Sequence, residues 1–170
     1  AASRRSAATA LQRSERPPLR SRAYSAPVNE ILGLPLHPLV VHAVVVIVPL
    51  VALGTVAAAA SSTWFDRLGV VLAVLAAAAA GAGFVARASG ESLLRRVPGS
   101  PEVASHANVS DALPWLLVPA AALMIGWVLA GAGHRWHRVL GVAAAAVWLL
   151  ATAWTVLAGH SGAVSVWGGL

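Results

Sequence analysis

Four long apolar runs limit what this chain can fold into more than any other feature. They cover about residues 36–60, 68–86, 113–132 and 139–158. Each holds roughly 19–25 residues, which at 1.5 Å per residue is enough to cross a hydrocarbon core about 30 Å thick. Inside lipid every backbone N–H and C=O must be bonded within its own segment, so each run is expected to be a helix. The fold class that follows is all-α: an integral membrane four-helix transmembrane bundle. Of the 170 residues 58% are hydrophobic and only 11% charged, with a mean hydropathy of +0.76. A soluble domain of this size has no way to hide so much apolar surface.

Residues 1–27 read differently from the rest. They are rich in Arg, Ser and Ala, are interrupted by Pro17-Pro18 and repeat no apolar face, so a disordered basic tail is expected, with the transmembrane domain spanning 28–170. The tail carries Arg4, Arg5, Arg13, Arg16, Arg20 and Arg22, half of the twelve cations, and the others flank the apolar runs. Such an arm suits anionic lipid headgroups. No nucleic-acid recognition fold accompanies it, so nucleic acid is not an expected partner. The expected location is a bacterial inner membrane. The alternative is an organellar membrane after transit-peptide cleavage, because the acid-poor tail contains Arg22-Ala23-Tyr24-Ser25, which resembles a mitochondrial processing site. There is no cysteine, which excludes disulfides and thiolate metal sites.

The connections carry their own signals. Ser61 to Arg67 and Gly131 to Arg138 are short polar turns with aromatics at headgroup depth. In the longer link from Arg87 to Ala112, Ser100-Pro101-Glu102 has the pattern of an N-cap followed by proline at the first helical position. The third helix is therefore expected to start near Ser100 with a polar preface, and Pro114 and Pro119 to bend it. Ala76 to Gly83, together with Gly54, Gly126 and Gly141, offers nearly bare helix faces for close packing. With four crossings, the tail arginines share a side with Arg87, Arg95 and Arg96, against Arg67, Arg135 and Arg138 opposite. By the positive-inside rule both termini are then cytoplasmic.

The histidines are the best functional lead. His37 and His42 open the first run, His106 precedes the third and His160 follows the fourth, so four crossings place all four at one end of the bundle. Only His134 and His137 fall opposite, where they read as headgroup-level residues. Neutral imidazole ligates haem iron, copper or zinc, and ionisable groups within membrane spans mark functional sites. Haem b needs two axial imidazoles from facing helices, cations near its propionates and an apolar slot. His42, about one turn into the first helix, is expected to face the bundle with His106 or His160 opposite and Arg87, Arg95 or Arg96 at propionate depth. His37 and His42, five residues apart, diverge by about 140° on a helix and do not point at one metal unless His37 lies outside it.

Other chemistries find little support. None of the six carboxylates lies within a run, which disfavours a carboxylate-bridged dimetal centre. Gly159-His160-Ser161-Gly162 lacks the spacing of a nucleophile elbow, and no phosphate-binding glycine loop precedes a helix, so enzyme motifs are absent. Three readings stay open: a small module holding a redox cofactor, with haem b leading; a non-catalytic scaffold or accessory subunit of a larger membrane complex; and a His-lined metal or proton conduit.

Gly33-Leu34-Pro35-Leu36-His37-Pro38-Leu39-Val40-Val41-His42 resembles the opening signature of a bacterial membrane family, domain of unknown function 2231. Ser89-Gly90-Glu91, His106 and the Gly159–Gly168 segment resemble its later landmarks. The resemblance spans Gly33 to the C-terminus and implies a four-span membrane protein with recurring histidines.

Overall fold

The computed structural model describes residues 30–31, 34–97 and 99–168. The basic tail lies outside them, and with it the expected disorder, processing site and headgroup contacts. The first described elements are two-residue strands, β1 (Glu30–Ile31) and β2 (Leu34–Pro35), paired antiparallel with Glu30 opposite Pro35. Five helices follow: α1 (Leu36–Ala60), α2 (Ser62–Leu94), α3 (Pro101–Asp111), α4 (Leu113–Ala130) and α5 (His137–Trp167). Four segments are long and apolar enough to cross a membrane: α1, α2, α3 with α4, and α5.

The expected spans are helical, except that the third stops at Ala130, two residues short, and α2 and α5 run beyond theirs at both ends. The polar preface is α3. Ser100 caps it, its Oγ accepting from the Val103 N–H at 3.2 Å, and Pro101 opens the helix. Ala112 separates α3 from α4, where Pro114 brings no N–H to continue the ladder. Gly131, at φ +75°, ends α4 in a conformation that disfavours side chains.

Burial follows helical geometry. Along α1 the buried residues are Val44, Val48, Val51, Ala52, Thr55 and Ala58, a single stripe of three- and four-residue steps. The opposite face is equally apolar and fully open, with Leu53 at 66% and Leu129 of α4 at 81% exposure. Outward leucines and valines on every long helix are what lipid contact requires. Around the bundle α1 packs on α2 and α5, and α4 closes the ring between those same two helices, while α3 lies against α5.

The core accommodates its few polar groups locally. Thr55 and Thr155 return their hydroxyls to the carbonyls four residues earlier, at 2.6 and 2.8 Å. Small residues then set the helix spacing. A Cβ on Gly141 would lie 2.6 Å from Trp127 Cζ2, and one on Gly54 would lie 2.5 Å from a terminal methyl of Leu72. The methyl can rotate aside but the buried indole cannot. Gly141→Ala is therefore expected to cost about 1–3 kcal/mol, more than Gly54→Ala. Equal losses of thermal stability in detergent would contradict that account.

Candidate functional site

The two ends of the bundle carry different chemistry. At the end where α1 begins, His37 of α1 reaches across to α2. Its Nδ1 lies 2.9 Å from the Ala86 carbonyl and 3.3 Å from Ser89 Oγ, while Ser89 itself donates to the Ala86 carbonyl at 3.0 Å. A carbonyl can only accept, so Nδ1 of His37 carries the ring proton. The ring lies flat enough on α2 that a Cβ at Gly90 would come within 3.0 Å of its Cε1.

His106 of α3 is held in the same manner by α5. Its Nδ1 lies 3.0 Å from Ser161 Oγ and 3.3 Å from Ser110 Oγ. Ser161 directs its own hydrogen to the Ala158 carbonyl at 2.8 Å, so its oxygen is left to accept from Nδ1–H. A Cβ at Gly162 would again come within 3.0 Å of the ring. Both half-buried imidazoles thus have the Nδ1–H tautomer fixed by a neighbouring helix. Among the described residues no hydrogen bond reaches either Nε2, the nitrogen that carries the lone pair when such a ring is neutral.

The other two histidines named from the sequence sit apart from this pair. His42 is exposed, and its Nδ1 turns back to the Pro38 carbonyl of its own helix. It faces away from the bundle because the buried stripe of α1 passes through Val44 and Val48. His160 is also exposed, beside Glu102, Ser105 and Ser161 in a shallow groove of about 380 Å³ between α3 and α5. His37, inside α1 yet directed at α2, is the other ring at this end that a neighbouring helix holds. No group of three or more His, Cys, Asp or Glu among the described residues is arranged to hold a metal ion.

Arg87 is engaged with carboxylates. Its Nε lies 2.7 Å from Asp111 of α3 and 3.3 Å from Glu91, and its guanidinium stands 5.9 Å from the centre of the Trp115 ring. The Asp111 contact ties α2 to the end of α3. With its side chains one-third to one-half exposed, it contributes no more than about 1 kcal/mol.

At the far end, His137 packs against aromatic rings. It is half-buried, with its ring centroid 4.5 Å from Phe65 and 5.3 Å from Trp127. The Trp127 indole N–H is directed at its Nδ1 at 3.1 Å, and the same nitrogen lies 3.1 Å from the Gly131 carbonyl. This is a packed aromatic cap. His134 is exposed and its Nδ1 accepts from the Trp136 N–H at 3.2 Å.

The residues that sequence reading did not assign to the site are Ser89, Ser161, Gly90 and Gly162. Their signal is the pattern Ala-x-x-Ser-Gly, which occurs at Ala86–Gly90 and again at Ala158–Gly162. No curated protein and no solved structure matches this chain. The family model described as "Predicted membrane protein (DUF2231)" matches residues 33–169, which takes in all four spans and both histidine contacts. The chain therefore belongs to the DUF2231 family of predicted membrane proteins.

Proposed function

We propose that this protein is a small membrane module that holds a redox-active metal centre at one membrane face through Nε2 of His37 and Nε2 of His106. The observation that carries this reading is the pair of half-buried rings whose Nδ1–H groups are already committed to neighbouring helices. That arrangement is how metal-binding histidines are oriented, because the second-shell bond fixes the tautomer and raises the basicity of the other nitrogen. Two neutral imidazoles and no thiolate suit haem b, whose iron would supply one-electron transfer. Arg87 is a poor propionate partner, being paired already with Asp111 and Glu91. Arg95, exposed just past α2, is the better candidate.

The test is an absorption spectrum and metal analysis of protein purified in detergent from haem-replete cells. A Soret band with about one haem per chain is expected. Colourless protein with no stoichiometric transition metal would return the chain to the class of scaffolds or accessory subunits.

We further propose a bacterial inner membrane with both termini cytoplasmic, supported by the excess of arginines on that side. The metal centre would then sit on the cytoplasmic face, and the basic tail would lie on anionic headgroups. A reporter fused to the C-terminus is expected to be active only in its cytoplasmic form, and activity of a periplasm-dependent reporter would reverse the topology.

A further inference from the structure

The hairpin α1–α2 and the segment α3–α4–α5 repeat one another. A shift of 72 in residue number carries Trp64, Leu68, Gly69 and Val70 onto Trp136, Leu140, Gly141 and Val142. The same shift carries Ala86, Ser89 and Gly90 onto Ala158, Ser161 and Gly162. A shift of 69 carries His37, Val40 and Ala43 onto His106, Val109 and Ala112. The difference between the two shifts falls at the connection, which is Ser61 alone in the first hairpin and residues 131–136 in the second.

Alanine-rich helices match by chance, so burial is the stronger comparison. The buried residues Val44, Val48, Val51, Ala52, Thr55 and Ala58 of α1 correspond to Leu113, Leu117, Ala120, Ala121, Met124 and Trp127, all buried. Gly69, Leu72, Ala76, Ala79 and Gly83 of α2 correspond to Gly141, Ala144, Trp148, Ala151 and Thr155 of α5, again all buried. Different side chains thus occupy the same helical faces in the same register. A duplicated backbone produces that result, whereas chance identities leave burial uncorrelated.

Two hairpins that cross the membrane in the same direction are related by a two-fold axis along the membrane normal. A residue that meets its own equivalent must lie beside that axis. Phe65 meets His137 at one end, their ring centroids 4.5 Å apart. Thr55 Oγ1 meets Met124 Sδ at mid-depth, 3.7 Å away. His37 and His106 are the equivalent pair at the other end. The axis therefore runs down the bundle between the contacting pairs, with the two imidazoles as equivalents on either side of it.

We propose that the imidazole site is built twice: His37 with Ser89 and Gly90, and His106 with Ser161 and Gly162, are equivalent half-sites that close on one metal ion or haem iron on the pseudo-two-fold axis. This rests on the reading of the two imidazoles as a metal site. Ser89 and Ser161 are positioning residues. Each gives its hydrogen to the carbonyl three residues earlier and turns its oxygen to Nδ1 of the ring. Gly90 and Gly162 let the rings lie against the helices. A ligand on the axis then receives Nε2 from both halves in the same way.

The experiment uses the full chain in detergent or nanodiscs, labelled with ¹⁵N-histidine and titrated with Zn²⁺ as the probe. Without metal, both rings are expected in the Nδ1–H form. One equivalent of Zn²⁺ is expected to move both Nε2 resonances in step. Ser89→Ala and Ser161→Ala should each weaken Zn²⁺ binding about 10–100-fold, to the same extent. Ser161→Ala should also release the tautomer of the His106 ring, while Ser161→Thr keeps it; in Ser89→Ala the His37 ring keeps its Nδ1–H on the Ala86 carbonyl. Rings that saturate separately at two equivalents would overturn the shared site and leave the metal-binding reading standing. So would one serine variant that is inert while the other is not. If neither ring responds to Zn²⁺ or haem in protein whose helical circular dichroism is intact, both readings fall together.

Discussion

Alanine at His37 or at His106 is expected to strip the metal centre from the purified protein. In the proposed centre each ring would supply one of the two imidazole ligands, so a single loss would leave an open coordination position and lower affinity by at least about 10–100-fold. Alanine at His42, His160 or His134 should leave cofactor content unchanged. These three rings are exposed, and His42 and His134 are bonded within their own segments. The measurement is haem or metal per chain across the five variants. Retention in His37→Ala combined with loss in His42→Ala would disprove the pairing and restore His42 as the ligand that its place inside the first run suggested.

The largest effect on stability is expected at Trp127. Trp127→Ala should cost about 3–5 kcal/mol, the range for removing a fully buried aromatic side chain. The indole is wholly buried, 4.8 Å from the Phe65 ring centre, and seated against Gly141. Its N–H is used as well, donating to His137 Nδ1. Trp148 provides the control. It too is wholly buried, but its Nε1 has no hydrogen-bond partner among the described residues. Trp148→Phe removes an unsatisfied donor while shrinking the side chain. The gain and the cavity are each of order 1 kcal/mol, so the net change should be small. Trp127→Phe abandons a bond that is made and should cost more. Unfolding in mixed detergent micelles ranks the three variants, and a Trp127→Phe protein as stable as Trp148→Phe would refute the role of the His137 bond.

The far end also shows a contact of His137 that its sequence neighbours do not announce. Its neighbours in sequence are Trp136 and Arg138, the company of a headgroup residue. What draws it inward is tertiary packing, which brings the Phe65 ring of α2 against it from a position 72 residues earlier. No local pattern records that contact. The duplication itself was legible, since Trp64-to-Val70 and Trp136-to-Val142 share four residues at identical spacing. Alanine runs between the matching residues obscure it, because they resemble any apolar helix.

The sequence by itself determined the membrane, the four helices and the sidedness of the histidines. Those follow from the length of apolar runs, the need to bond the backbone inside lipid and the parity of crossings, none of which depends on how helices pack. It also determined the start of α3, since capping by Ser100 and Pro101 is a local event. Which imidazoles are held by a neighbouring helix was decided only by tertiary structure. His42 lies deeper in the apolar run than His37, yet the stripe through Val44 and Val48 turns it outward, and His37 one turn earlier meets α2. His106 and His160 share one end of the bundle, but only His106 has Ser161 and Gly162 against its ring. Both helix faces are apolar in lipid, so hydropathy does not mark which face is buried. That choice is made by shape, where glycine and alanine let a neighbouring helix approach.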